Sequence, residues 1–231
     1  MPERDVPVVD LDWGATFRLV PSRFPPITLF ERVADPADLD VVHAVEALTN
    51  PRLRQEVGEI SLVPIDERIS GPGSSAIMAA FTHLNPGGSR FSDGSYGVYY
   101  AARTLKTSVR EVCHHQGRFL AATREPPIEI DMRCYKSVVR QPMHDIRGRQ
   151  EALSPVYAPD DYGVSQGFGA RLRELGSWGL VYDSVRDPGG ECVGIFRPRA
   201  LGPAVQGQHV TLQWNGEHVE SWYVKSELRR V

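Results

Sequence analysis

Long apolar stretches are missing from this 231-residue chain, and their absence removes several classes of protein. No run approaches the roughly 18 apolar residues of a membrane-spanning helix, and no basic, apolar head marks a secretory signal, so neither membrane insertion nor export is expected. Cysteine is scarce. Cys113, Cys134 and Cys192 are odd in number and widely spaced, which suits buried thiols in a reducing cytoplasm rather than a disulfide framework. Excess charge is absent too: Lys plus Arg number 26 against 29 Asp plus Glu, a formal −3, with no electrostatic case for direct nucleic-acid binding. Gly71-Pro72-Gly73-Ser74-Ser75 lacks the lysine of a P-loop and reads as a plain turn. No Gly-x-Ser-x-Gly elbow occurs, and Gly163 to Gly169 lacks the strand–Gly-x-Gly-x-x-Gly–helix order of a dinucleotide fingerprint. Cys113-His114-His115 makes a poor metal site, because helix neighbours point about 100° apart and no second Cys or His cluster stands at ligand spacing.

At this length a single domain with one sizeable core is expected. Phe17 to Val20 reads as a short strand closed by Pro21, and Pro25-Pro26 as an extended connection. Asp35-Pro36 is a helix start, with Leu39, Val42, Val45 and Leu48 as its buried face and Asn50-Pro51 as its stop. Residues 51 to 88 show no clear period. Ile128, Ile130 and Met132 alternate with Glu129, Asp131 and Arg133 in a half-exposed strand, and residues 137 to 163 read as loop. A helix from Ser165 through Phe168, Leu172 and Leu175 is capped by Gly176. Strands follow at Gly179 to Tyr182 and Cys192 to Phe196, joined by the turn Asp187-Pro188-Gly189-Gly190. Val210, Leu212 and Trp214, then Asn215-Gly216, then Val219 and Trp222 predict a hairpin. The expected fold is α+β, a single domain over residues 1–231 with a mixed, largely antiparallel sheet and flanking helices.

Residues 87 to 115 organise the rest. A glycine-rich entry leads to a short strand, Val98 to Ala102, and then to a helix capped by Thr104. Leu105, Val109 and Val112 fall at i, i+4 and i+7, and Glu111 lies about 200° around the wheel from Val109, away from that stripe. Arg90, Tyr100 and Glu111 are placed to converge on one cleft; a surface arginine and a solvated glutamate are the plainer alternative.

Several motifs stand in a recognisable order. They are the Phe17-Arg18 pair, the loop Gly88-Ser89-Arg90-Phe91-Ser92 and the strand end Tyr100-Ala101-Ala102. The helix segment Ser108-Val109-Arg110-Glu111 and then Tyr182-Asp183-Ser184-Val185-Arg186 complete them. With these the chain resembles the RES domain, a family of bacterial toxins paired with Xre-type antitoxins and named for an Arg, a Glu and a Ser. Ser89, Phe91 and Ser92 depart from the family's Gly-Gly-Arg-Trp-Asn-like loop. The motif core spans residues 17–196, leaving 204–231 as a C-terminal hairpin extension that serves structure or contact with a subunit or antitoxin.

The resemblance implies a fold akin to ADP-ribosyltransferase toxins, with NAD in a cleft between sheet and helix. It implies cleavage of the nicotinamide–ribose bond with phosphate or water as acceptor, and growth inhibition through NAD depletion. NAD is then the substrate, phosphate a co-substrate, and no metal takes part. Glu111, Arg90 and Ser184 become the catalytic residues, and Arg18, Arg90, Tyr100 and Ser184 the NAD-binding ones. Glu111 would stabilise positive charge at the ribose, Arg18 and Arg90 would grip the pyrophosphate, Tyr100 would stack on or orient the nicotinamide, and Ser184 would bond the ribose or the acceptor. The implied partner is an Xre-type antitoxin, and the expected state a cytoplasmic homodimer. Transfer of ADP-ribose to a protein target keeps the same site, and a catalytically silent antitoxin-binding module is a third reading.

Overall fold

β-branched and aromatic runs separated by proline and glycine turns assemble into one sheet. The computed structural model describes residues 5–23, 29–33, 35–47 and 57–225. Its strands are β1 (Val8–Val9), β2 (Thr16–Pro21), β3 (Tyr99–Ala102), β4 (Ile128–Ser137), β5 (Met143–Asp145), β6 (Gly179–Asp183), β7 (Glu191–Ile195), β8 (Val205–Trp214) and β9 (Val219–Val224). They pair in the order β1-β5-β6-β7-β3-β2-β4-β8-β9. Only β5 and β6 run parallel, so the sheet is mixed and largely antiparallel, as expected. The helices among the described residues are α1 (Leu29–Arg32), α2 (Leu39–Ala47), α3 (Ser75–Thr82), α4 (Leu105–Thr123) and α5 (Gly163–Glu174). None of them is long and apolar enough to cross a membrane.

Strand alternation sorts the core into two sides. Tyr99, Val181, Val193 and Ile195 face one way, into a cluster with Phe30, Leu39, Ile77 and Met78 from α1, α2 and α3. Ala102, Cys192, Leu180 and Tyr182 face the other way, where α5 contributes Phe168 and Leu172. On that second side β2, β4 and β8 place Leu19, Met132, Cys134, Val210 and Leu212 against Val109 of α4. The Leu105–Val109–Val112 stripe is therefore the face α4 buries. Near the middle of the sheet β2 and β3 share only the Phe17–Ala102 position, and beyond it the two strands part.

Several elements differ from the sequence expectation. α3 (Ser-Ala-Ile-Met-Ala-Ala-Phe-Thr) falls in the stretch without a clear period: six of its eight residues are buried, so no polar face marks it. Gly71-Pro72-Gly73 is the turn that precedes it. β5 is only three residues long and follows Pro142, too short to register as a strand. α2 begins as expected, with Asp35 Oδ1 accepting from Ala37 N across a 3₁₀ turn, but Val45 is 60% exposed rather than part of a buried face. Pro25-Pro26, Leu48 and Asn50-Pro51 lie outside the described residues. α5 starts at Gly163, two residues before Ser165, and ends on the predicted cap. Gly176 at φ 82° donates to Arg173 O while Ser177 N reaches Leu172 O.

The tail hairpin is more than an appendage. β8 is an interior strand, and Val210, Leu212 and Trp214 on it are buried core residues. Of the two hairpin strands only β9 lies at a sheet edge, with Trp222, Tyr223 and Val224 exposed.

Candidate active site

Thr104 Oγ1 accepts from Thr107 N at 3.1 Å and starts α4, which carries Glu111 two turns on. Because α4 spends its apolar stripe on the sheet, Glu111 projects to its other flank and meets the turn after β6. There Ser184 Oγ donates to Glu111 Oε1 at 2.6 Å. The same oxygen accepts from Asp187 N at 2.9 Å and Arg186 N at 3.2 Å. With both lone pairs engaged, its one proton is directed at the carboxylate. Cys192 Sγ lies 3.9 Å from the same Oε1. Burial first, then Glu111, holds that thiol well above its usual range, so it stays protonated.

The turn that presents Ser184 is fastened to the start of α4. Asp187 Oδ2 accepts from Thr107 Oγ1 at 2.9 Å, and its Oδ1 lies 3.4 Å from Lys106 Nζ. Gly190 closes the turn by bonding Asp187 O, and a Cβ there would meet Thr107 Cγ2 at 2.6 Å, so no side chain fits. The helix cap, Thr107, Asp187, Ser184 and Glu111 thus form one hydrogen-bonded chain.

Arg90 and Tyr100 lie on this same side of the sheet. Arg90 is buried; its Nη1 donates to Val156 O at 3.3 Å and Ala158 O at 2.9 Å, and its guanidinium stands 4.7 Å over the Tyr162 ring. Its fork therefore fastens the Val156–Tyr162 segment. Tyr100 OH accepts from Phe91 N at 2.9 Å and bonds Ser89 Oγ at 2.8 Å, while its ring stacks on Phe91. Its hydroxyl secures the Arg90 loop. The Phe91 ring meets Tyr182 edge-on at 5.0 Å, so the Arg90 loop packs on the strand that leads to Ser184. Burial first, then Arg186, pushes His114 down to about 4, leaving a neutral imidazole at neutral pH.

Arg18 stands apart. Its neighbours Phe17 and Leu19 pack toward α4, so alternation sends Arg18 to the opposite side, with its guanidinium 4.7 Å over the Tyr99 ring. Nη1 donates to Tyr100 O at 3.0 Å across the parting of β2 and β3, and Nε is buried without a hydrogen bond. Burial lowers its pKa from the usual value. Arg18 and Arg90 therefore do not converge on one group, because one residue of strand register separates the two sides. A cavity of about 800 Å³ opens along the parting; Arg18, Ser89, Tyr100, Arg133 and Tyr135 line it, whereas Arg90, Glu111 and Ser184 do not.

A protein-family model, the RES domain, matches residues 66–215, well over half of the chain. The chain belongs to the RES domain family. The RES match takes in the Arg90 loop, α4 with Glu111, Ser184 and all of β8; Arg18 and β2 precede it. A curated relative, the uncharacterized protein y4oC of Sinorhizobium fredii, is 30% identical over 209 residues, spanning 90% of this chain and 86% of the relative. A solved structure, titled as the M. tuberculosis MbcT–MbcA toxin–antitoxin complex, aligns with a TM-score of 0.41 at 14% identity, covering 55% of this chain and 72% of that one.

Sequence reasoning about this RES chain gave no role to Asp187, Thr107 or Cys192. Asp187-Pro188-Gly189-Gly190 was legible as a turn, but its contact with Thr107 spans 80 residues of chain. No spacing rule reaches that far.

Proposed function

We propose that this RES-domain chain cleaves the nicotinamide–ribose bond of NAD and passes the ADP-ribosyl group to phosphate or water. The observation that carries the reading is the Ser184 hydroxyl, fixed by two backbone amides and directed at Glu111 Oε1. In the reaction the C1″–nitrogen bond of the nicotinamide-side ribose breaks and its electron pair leaves with nicotinamide. An oxygen of the acceptor then bonds C1″ and gives up one proton. The transition state is oxocarbenium-like and positive, and a preorganised carboxylate beside it lowers the barrier. Ser184 engages Oε1 and holds the carboxyl plane, while Oε2 is left to face the ribose.

Arg90 acts as a positioning residue through the Val156–Tyr162 segment, and Tyr100 through the loop it secures. Arg18 is assigned to the diphosphate, since a half-buried guanidinium lining an 800 Å³ cavity suits an anionic ligand, and that volume lies in the range of small-molecule sites. An antitoxin that covers the site belongs to the same proposal, on the strength of the family resemblance.

Purified protein incubated with NAD, with and without inorganic phosphate, tests the reading by product identification. ADP-ribose or its 1″-phosphate together with free nicotinamide supports it. Labelled protein redirects it to ADP-ribosyl transfer. Intact NAD after prolonged incubation leaves only a silent binding module.

A further inference from the structure

The Val156–Tyr162 segment lies against α4 and the turn that carries Ser184, and positively charged side chains fasten it. Arg90 holds Val156 O and Ala158 O from beneath. Arg186 donates through Nη2 to Pro159 O and also lies 3.2 Å from Asp160 Oδ1. Arg118 Nη1 lies 3.5 Å and His114 Nε2 3.6 Å from that same oxygen. Two guanidiniums and an imidazole therefore converge on one carboxylate oxygen.

The fit is loose. Charge-assisted N–H···O bonds run at about 2.7–2.9 Å, and all three contacts here are longer. His114 Nε2 is buried and makes no hydrogen bond. Asp160 is 64% exposed on its loop, whereas Arg186 is only 16% exposed and stands two residues from Ser184, whose Oγ accepts its backbone N–H. His114 and Arg118 stand three and seven residues after Glu111 on α4, so the cradle lies on the helix face that carries Glu111. A carboxylate oxygen is a poor match for three convergent donors; a phosphate group brings three acceptor oxygens and up to two charges.

We propose that His114, Arg118 and Arg186 form a subsite for a phosphate group beside Glu111, and that Asp160 occupies it in the free protein as a built-in competitor which the ligand displaces. The inference rests on the proposed NAD reading only for the source of that group: the free phosphate acceptor, with Arg18 on the diphosphate, or the diphosphate itself, in which case the assignment of Arg18 falls. Displacement of Asp160 also releases one fastening of the Val156–Tyr162 segment, so occupancy and opening are coupled.

Binding tests this without turnover. Inorganic phosphate and ADP-ribose are titrated separately by calorimetry into the wild type, Asp160→Asn, Arg118→Met, Arg186→Met and the Asp160→Asn/Arg186→Met double variant. Asp160→Asn should bind at least one probe about two- to fivefold tighter, the worth of an exposed ion pair. Arg186→Met should weaken the same probe about tenfold or more, as for loss of a charge-assisted bond. In the double variant the gain from Asp160→Asn should vanish. Arg118 is 60% exposed, so Arg118→Met reports on the subsite even if Arg186→Met fails to fold. Tightening for inorganic phosphate identifies the acceptor as the source, and tightening for ADP-ribose alone identifies the substrate's diphosphate. Unchanged affinity for both probes in Asp160→Asn and in Arg118→Met would overturn the subsite and leave Asp160 a structural clasp. Because neither probe is cleaved, that result stands whether or not the wild type degrades NAD.

Discussion

Replacing Ser184 by alanine removes one oxygen that makes three hydrogen bonds. The bond to Glu111 is made to a charged group and is worth about 1.5–3 kcal/mol. If that alignment is used chiefly in the transition state, kcat falls by about 10- to 150-fold, at about 1.4 kcal/mol per tenfold. The amides of Arg186 and Asp187 also lose their acceptor, and leaving buried donors unpaired costs on the order of 1–3 kcal/mol of stability. The change thus has two readouts that can be separated. Initial rates of nicotinamide release across an NAD titration report the first, and urea unfolding reports the second. The expected result is a folded, somewhat less stable protein with a large fall in kcat and a small change in KM. A folded Ser184→Ala protein with wild-type kcat would refute the idea that the hydroxyl positions Glu111.

The two arginines should behave differently, although they looked alike in the sequence. Arg90→Met frees two carbonyls of the Val156–Tyr162 segment and should lower stability by about 1.5–3 kcal/mol with faster hydrogen exchange across it. Arg18→Lys loses the planar fork in the cavity and should raise KM for NAD; an unchanged KM would remove Arg18 from the binding site. Ending the chain at Asn215 deletes only the edge strand β9 and should leave a folded, active protein. Ending it before Val205 also removes four buried side chains, Val210, Thr211, Leu212 and Trp214, and should abolish folding, as circular dichroism would reveal.

The legible parts of this protein were those governed by local rules. Thr104 as a cap, the Leu105–Val109–Val112 stripe, the Gly176 terminus and the strand runs of β3, β6 and β7 all depend on neighbours within a few residues. The outward direction of Glu111 followed from the same helical spacing. Ser184 entered the site only through the family resemblance, as a partner of the ribose or the acceptor; its bond to Glu111, 73 residues away, was not legible. α3 was hidden by its own burial, since a helix that is apolar on nearly all sides loses the periodicity that would reveal it. The separation of Arg18 from Arg90 was hidden by strand register. Phe17 and Arg18 are adjacent, and the pairing of β2 with β3 and β4 decides which of them faces α4. Likewise Trp214 reads as exposable in an isolated hairpin, but β4 and α4 cover it, and its Nε1 donates to Glu125 O at 2.9 Å.

Glu111→Gln is the most direct test of the account. The amide keeps the size of the side chain and an acceptor for Ser184 Oγ, removes the negative charge, and leaves the apolar stripe of α4 untouched. NAD cleavage is followed by nicotinamide release at saturating substrate, with binding of uncleaved NAD measured in parallel. The account predicts a fall in kcat of roughly 10²–10³, as for loss of one electrostatic stabiliser of the transition state, with NAD affinity nearly unchanged. A folded Glu111→Gln protein that cleaves NAD at close to the wild-type rate would contradict it.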